Sequence, residues 1–403
     1  MSINYCEKER VFTLQTQNAT YQMIVDSHGY LLHCYYGAKI ERQNLSYCIQ
    51  PQDRGFAANP PDAAGDRTLS PDTLPQEYST FGVGDFRESC LDVRDKNGGV
   101  AADLRYGSYR IYPGKKPLNG LPAAYGNEKD VDTLEIDLRD EVSGLVVTLR
   151  YSVFAQWDVI ARSAEIFNRG TGVLILERAL SCCLDEPVPA SRDILTFYGR
   201  HMGERNLERM PLRHGKFRVD SMRGASSPHY NPFVILCDSA ATETAGNCWA
   251  FSLVYSGNFI AQAEVDQIDT LRFVMGIAPQ NFSWELKPGA SFQAPEVLLC
   301  FSDYGFDALS NRLNGFQMQH LVRGKYRTER CPILVNNWEA TYFDFDEERL
   351  LALAREAKEV GIEMLVLDDG WFGERNDDTT SLGDWFVNRQ KLPDGLAGFG
   401  AKL

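Results

Sequence analysis

The chain has 403 residues, and its 41 Lys and Arg residues against 55 Asp and Glu residues give a formal net charge of −14. This acidic balance, without a basic cluster, argues against nucleic acid as a partner, because the phosphate backbone attracts clustered Lys and Arg. With 44% hydrophobic residues the chain can bury a sizeable core, and its length predicts two or three domains.

The N-terminus and the cysteines predict a cytoplasmic location. Residues 1–10 (MSINYCEKER) carry charges where a secretory signal needs an apolar run, and no run of eighteen apolar residues follows. The ten cysteines form no CxxC pair, and a chain of this length does not need disulfide bonds to be stable. Both observations indicate free thiols in a reducing compartment. We therefore expect no membrane partner.

Residues 1–304 are predicted to form one large domain of antiparallel β-sandwich type. From residue 9 to about 300, short runs alternate apolar and polar side chains, as in residues 21–25 (YQMIV) and 145–151 (LVVTLRY). Turn signals such as residues 97–99 (NGG) and 287–289 (KPG) separate these runs at intervals that suit a sandwich.

One irregular segment, residues 50–86, interrupts the strand pattern and is too long for a plain connection. It contains five prolines but also the aromatic residues Tyr78, Phe81 and Phe86, which a disordered linker would not need. We predict an ordered surface loop.

The periodicity changes near Gly305. Leu309, Leu313 and Phe316 recur at helical spacing, which predicts a helical linker over residues 305–329. This linker would separate the sandwich from a third segment.

Residues 330–403 are predicted to begin an α/β domain. An apolar strand at 333–335 precedes an N-cap at Asp346, a helix with an apolar stripe, Gly361, and a second apolar strand at 364–367. Strand, helix and strand in about 35 residues make a βαβ unit, whose strands run parallel and whose functional groups lie where the strands end.

Acids, amides and indoles follow both of these strands. The first strand leads into residues 336–340 (NNWEA) and the second into residues 368–371 (DDGW). Carboxylates accept hydrogen bonds from vicinal hydroxyls and an indole packs on a pyranose face, so this composition predicts a sugar site. The alternative reading is that Trp338 and Trp371 only pack and that Asp368 caps the next segment.

The tandem acids are predicted to bind substrate rather than to catalyse. Neighbours in a strand point to opposite faces, so Asp368 and Asp369 do not readily make the facing pair of a retaining glycosidase, about 5–5.5 Å apart. Glu339 and Asp344 are formally possible acids, although Asp344 precedes the helix and suits a structural role.

Metal and cofactor chemistry is not predicted. The six histidines are scattered without an HExxH motif, and neither a P-loop nor a GxGxxG motif after a strand occurs. We expect neither a metal nor a cofactor.

Several long motifs resemble the glycoside hydrolase family 36 α-galactosidases. The resemblance is carried near the C-terminus by residues 337–344 (NWEATYFD), 367–375 (LDDGWFGER) and 382–385 (LGDW). Further matches in the N-terminal half are 53–54 (DR), 59–60 (NP), 66–67 (DR), 74–78 (LPQEY), 84–87 (GDFR), 204–205 (ER) and 255–259 (YSGNF). The resemblance covers essentially the whole chain.

This resemblance implies a β-sandwich followed by a (β/α)₈ barrel, the TIM barrel, that removes terminal α-galactosyl groups with retention. By match, Asp368 and Asp369 bind galactose hydroxyls and Trp338 lines the sugar. Asp53 would reach the active site of a neighbouring subunit, since the family tends to form tetramers. His201 stands where the family usually has Trp, which implies a different aglycone contact.

The resemblance also leaves the catalytic residues outside this sequence. The family places its nucleophile in a Lys-Trp-Asp motif on a later strand, and no such motif occurs here, while a (β/α)₈ barrel takes about 250 residues. We expect residues after about 330 not to fold stably alone and the 403-residue chain to lack hydrolase activity. The alternatives are a non-catalytic galactoside-binding protein, an α-N-acetylgalactosaminidase or a raffinose-type transglycosylase on the same scaffold.

Overall fold

The structure is a computed structural model that describes residues 2–41, 43–53, 55–56, 58–63, 65–186 and 191–403. It divides into two compact units, Met1–Val322 and Arg323–Leu403. The predicted domain boundaries at 304 and 329 stay a prediction.

The described part of the first unit consists mainly of antiparallel strands. Its strands are β1 (Ile3–Cys6), β2 (Val11–Gln15), β3 (Ala19–Val25), β4 (Leu31–Ala38), β5 (Leu91–Asp95), β6 (Arg105–Pro113), β7 (Asp132–Asp140), β8 (Leu145–Phe154), β9 (Val159–Asn168), β10 (Leu174–Asp185), β11 (Arg192–Arg200), β12 (Gly203–Pro211), β13 (Gly215–Ser221), β14 (Phe233–Asp238), β15 (Cys248–Val254), β16 (Phe259–Val265), β17 (Leu271–Ile277), β18 (Trp284–Leu286), β19 (Ser291–Gln293) and β20 (Glu296–Ser302).

These strands build three sheets around one shared core. The first has the order β1-β2-β3-β4, the second β13-β16-β17-β10-β18 with β5 beside β10, and the third β12-β11-β14-β15-β20-β9-β8-β7-β6 with β19 beside β9. Ring contacts join the layers: the Tyr21 and Tyr151 centroids lie 6.0 Å apart, and the Phe251 and Phe273 centroids 4.2 Å apart. The predicted antiparallel β-sandwich is confirmed.

The segment 50–86 differs from the predicted surface loop in its second half. Most side chains from Ser70 to Thr80 are buried, and Glu77 has no exposed surface. The Glu77 carboxylate accepts hydrogen bonds from Tyr21 and Tyr151 at 2.6 and 2.7 Å, and its Oε1 lies 2.8 Å from Nη1 of buried Arg162. This part of the segment can be buried because strands that are distant in the sequence supply partners for the Glu77 carboxylate.

Helix α1 (Gly305–His320) covers one face of the largest sheet. Its buried stripe, Leu309, Leu313 and Phe316, packs on a cluster that includes strand residues of β14, β15 and β20. The helix has the predicted buried face, but it ends at His320, short of residue 329, and it lies within the first unit. The linker role stays a prediction.

The second unit contains a parallel β–α–β step. Its elements are β21 (Leu334–Asn336), α2 (Trp338–Thr341), α3 (Glu347–Glu359), β22 (Met364–Val366) and α4 (Gly395–Lys402). Strand β21 pairs with β22 in parallel, with Leu334 opposite Met364. Asp346 caps α3 as predicted, because its Oδ1 accepts the Arg349 N–H at 2.9 Å.

The small core of this unit lies between α3 and the chain that follows β22. It centres on buried Phe345, Leu350, Leu392 and Phe399. By contrast, Leu334 on β21 is 51% exposed and Met364 on β22 is 38% exposed. Among the helices described in either unit, none is both long and apolar enough to cross a membrane.

Candidate functional site

The carboxyl ends of β21 and β22 bring the predicted polar residues to one edge. Asn336 stands opposite Val366 in the register, and the Asn337 N–H donates to the Val366 carbonyl at 3.2 Å. Asp368 and Asp369 follow β22 after Leu367. As in other parallel sheets, this edge is where side chains from neighbouring strands converge.

Two asparagines connect the strand ends. Nδ2 of Asn336 donates to Oδ2 of Asp368 at 2.5 Å, while its Oδ1 accepts the Trp338 N–H at 2.8 Å. The buried side chain of Asn337 accepts the Asp368 N–H at 2.8 Å and donates to Thr341 Oγ1 at 2.9 Å. These bonds fix Trp338 and Asp368 relative to one another.

Asp369 is held as an ionised acceptor. Its Oδ1 accepts hydrogen bonds from Nε of Arg375 at 2.6 Å and from the Gly370 N–H at 2.8 Å. The Arg375 bond, aided by the Gly370 N–H and by nearby Lys391, holds the pKa of Asp369 below its ordinary value despite partial burial. Among the described residues these two donors both bond to Oδ1, so Oδ2 is the oxygen that can accept a ligand hydroxyl.

Trp338 is the first residue of α2 and is half-buried. Its ring meets Tyr342 and Phe343 edge-on, at centroid distances of 5.2 and 4.9 Å. Tyr342 has φ +47°, a left-handed conformation that is strained for a bulky residue, immediately after the helix. The indole is therefore held by two aromatic edges rather than by a stacked partner.

The loops that follow β21 and β22 touch at Gly370. Nζ of Lys391 donates to the Phe343 carbonyl at 2.8 Å and to the Gly370 carbonyl at 3.0 Å. Gly370 has φ +88°, and a Cβ there would lie 3.2 Å from ring atoms of Phe343 and Phe345. A side chain at this position would strain the backbone and crowd both rings.

The structure thus places three of the five predicted site residues, Trp338, Asp368 and Asp369, at one strand edge. Asp53 and His201 lie in the first unit. Asp53 is exposed and lies 3.0 Å from Arg67, and Arg54 beside it is outside the described residues. His201 is exposed in the hairpin turn between β11 and β12.

Lys391 and the bridging role of Asn337 were not predicted from the sequence. Asn337 was noted only as part of the motif, and Lys391 lies 21 residues beyond Gly370 in a stretch without a recognisable site signal. Asp344, the possible acid, is 98% exposed and lies 3.1 Å from Arg349, and its suggested structural role stays a prediction.

The chemistry of this edge suits recognition of a polyhydroxylated ligand. A carboxylate with a free oxygen, a second carboxylate held by Asn336, and a half-buried indole provide acceptors beside an apolar face. Within the described residues, no cluster of three or more His, Cys, Asp or Glu side chains is arranged to hold a metal ion.

Two family models match the chain. Residues 29–287 match the glycosyl hydrolase family 36 N-terminal domain, and residues 291–403 match the melibiase model. The second match begins at the first residue of β19, so it includes β19, β20 and α1.

Curated relatives match along almost the whole chain. The bifunctional alpha-galactosidase/sucrose kinase AgaSK of Mediterraneibacter gnavus is 48% identical over 98% of this chain and 42% of its own length. Alpha-galactosidase AgaA of Geobacillus stearothermophilus is 47% identical over 100% of this chain and 55% of its own. The chain therefore spans about half the length of these relatives.

Solved structures agree with the sequence matches. The galactosidase domain of AgaSK superposes with a TM-score of 0.96 over 99% of this chain and 55% of that one, at 47% identity. A variant of AgaA from Geobacillus stearothermophilus in complex with raffinose superposes with a TM-score of 0.93 over 97% of this chain and 54% of that one, also at 47% identity.

Proposed function

Since the chain belongs to glycosyl hydrolase family 36, we propose that the whole protein is an α-galactosidase that removes terminal α-galactosyl groups from raffinose-type oligosaccharides. The observation that carries this proposal is the site at the ends of β21 and β22, where Asp368, Asp369 and Trp338 converge. The raffinose and stachyose complexes of its relatives support the substrate class.

In this proposal the two aspartates bind and orient the galactosyl unit. Oδ2 of Asp369 accepts a sugar hydroxyl while Arg375 keeps the carboxylate ionised, and Asp368 accepts a second hydroxyl beside Asn336. Trp338 lies against the C–H face of the ring. Each hydrogen bond from a hydroxyl to a carboxylate is worth about 1.5–3 kcal/mol.

Neither aspartate is proposed as nucleophile or as acid/base. The two aspartates are adjacent in the chain, and Asp368 bonds to Asn336 while Asp369 bonds to Arg375. A retaining glycosidase instead sets two carboxyl groups about 5–5.5 Å apart across the scissile bond. The catalytic pair of the double displacement is proposed to lie on later strands of a completed (β/α)₈ barrel.

Two further proposals concern the first unit. Asp53, with a half-exposed side chain, would reach the sugar site of a neighbouring subunit in a tetramer, and His201 at its exposed turn would contact the aglycone.

A cytoplasmic location is supported by ten cysteines that are all free thiols, seven of them buried.

The experiment is an initial-rate assay of galactose release from raffinose by the whole protein, followed by NMR to identify the first anomer released. We expect raffinose cleavage with α-galactose appearing before β-galactose, and no turnover by residues 1–403 alone. Turnover of an α-N-acetylgalactosaminide but not of raffinose, or β-galactose as the first product, would refute the proposal.

A further inference from the structure

Lys391 occupies a position between the two loops of the candidate site. Its ammonium donates to the carbonyls of Phe343 and Gly370 at 2.8 and 3.0 Å and lies 4.7 Å from the centroid of the Phe345 ring. Both acceptors are backbone groups, so the contact constrains main-chain positions rather than flexible side chains.

The two carbonyls belong to segments that carry different parts of the site. The Phe343 ring contacts the Trp338 indole edge-on at 4.9 Å, and Gly370 is joined directly to Asp369. One ammonium thus links the loop that supports the indole to the loop that supplies the carboxylate. Arg375, which donates to Asp369 and packs on the Phe343 ring, is a second link between these segments, but it holds side chains rather than the two backbone carbonyls.

The charges around Lys391 favour a cation at this point. Asp369 and Asp344 attract the ammonium, although its partial burial lowers the pKa of Lys391 overall. Arg375 approaches Asp369 through Nε and packs against the rings of Phe343 and Phe372, at 5.8 and 5.9 Å from their centroids. Two cations, Lys391 and Arg375, therefore act on the Asp369 carboxylate, and each is held by contacts of its own.

We propose that Lys391 is a positioning residue that sets the spacing between the Trp338 indole and the Asp369 carboxylate for a bound galactosyl unit. This inference rests on the proposed function of the same site. A neutral side chain of similar length would leave both carbonyls without their donor and let the two loops separate.

The test compares Lys391→Met, Lys391→Arg and Lys358→Met in the whole protein, with kcat and KM for raffinose as readouts. Lys358 is an exposed residue of α3 and serves as the matched control. We expect K391M to raise KM about tenfold or more, in line with the loss of charge-assisted hydrogen bonds. Its kcat should change less than threefold, because the catalytic carboxylates are proposed to lie on later strands.

K391R keeps the charge and the donors, so its KM should return to within about threefold of wild type, and K358M should match wild type. A K391M KM within twofold of wild type would overturn the inference, as would K391R as impaired as K391M, or a K391M protein whose near-ultraviolet circular dichroism shows that it is unfolded. Failure of the wild-type protein to cleave raffinose would instead reject the proposed function.

Discussion

Glu77 is a buried charge, and the four side chains that contact its carboxylate in the described part of the chain are buried too. Its carboxylate accepts hydrogen bonds from Tyr21 and Tyr151, pairs with Arg162, and lies 3.2 Å from Nδ1 of His33. Burial alone would raise the pKa of Glu77, but Arg162 and His33 outweigh it and hold the pKa below its ordinary value. The ionised carboxylate thus fixes segment 70–80 in the core.

Replacing this carboxylate should be costly. Glu77→Gln would leave Arg162 as an uncompensated buried cation, so we expect a loss of about 3–5 kcal/mol in the free energy of unfolding. Urea denaturation measures it, with Glu177→Gln as control, because the Glu177–Arg94 pair is 40% and 45% exposed and is worth at most about 1 kcal/mol. Equal losses in the two variants would contradict this account of the core.

At the scale of elements, the contact between the loops after β21 and β22 depends on one glycine. Both Gly370 (φ +88°) and Gly361 (φ +86°) adopt left-handed conformations, but only a Cβ at Gly370 would meet rings, those of Phe343 and Phe345. A comparison of alanine substitutions at Gly370 and Gly361 therefore separates the cost of backbone strain from the cost of crowding the two rings.

Gly370→Ala should cost the strain of about 1–2 kcal/mol and also displace the loop of Asp369, whereas Gly361→Ala should cost the strain alone. In the whole protein, we expect G370A to raise KM for raffinose at least tenfold and G361A to leave it within twofold. Kinetics of both variants at one temperature provide the measurement. A G370A enzyme with wild-type KM would show that the loop contact does not shape the site.

Local patterns predicted the elements and which residues follow the ends of β21 and β22, but not the long-range contacts. The alternation in 145–151, the stripe of α1 and the cap at Asp346 are encoded within a few residues, and the structure has each of them. The burial of Glu77 depends on Arg162, 85 residues away, and the position of Lys391 depends on a loop that returns to Gly370. Such contacts have no period or spacing that a sequence reveals.

At the scale of the whole molecule, the two units differ in how fully they bury their apolar side chains. The first unit encloses a continuous core shared by three sheets, while in the second unit Ile333, just before β21, and Leu334 on β21 are more than half exposed. We therefore expect the first unit to fold when it is produced alone, and the second unit not to fold stably alone.

Residues 1–322 alone should fold and melt in one cooperative transition, because their core and helix α1 are contained within them. Residues 323–403 alone should show no cooperative melt and should bind a hydrophobic dye through the exposed strand faces. Circular dichroism melts of the two fragments test this. A non-cooperative melt of residues 1–322 would contradict the assignment of α1 to the first unit.

The edge formed by β21 and β22 is proposed to hold the galactosyl unit, and the most direct test is kcat/KM for raffinose of Asp369→Asn in the whole protein. Asparagine keeps the size but loses the charge paired with Arg375, so we predict a fall of about 10- to 100-fold with wild-type circular dichroism. A kcat/KM within twofold of wild type would show that the sugar binds elsewhere and would contradict the account.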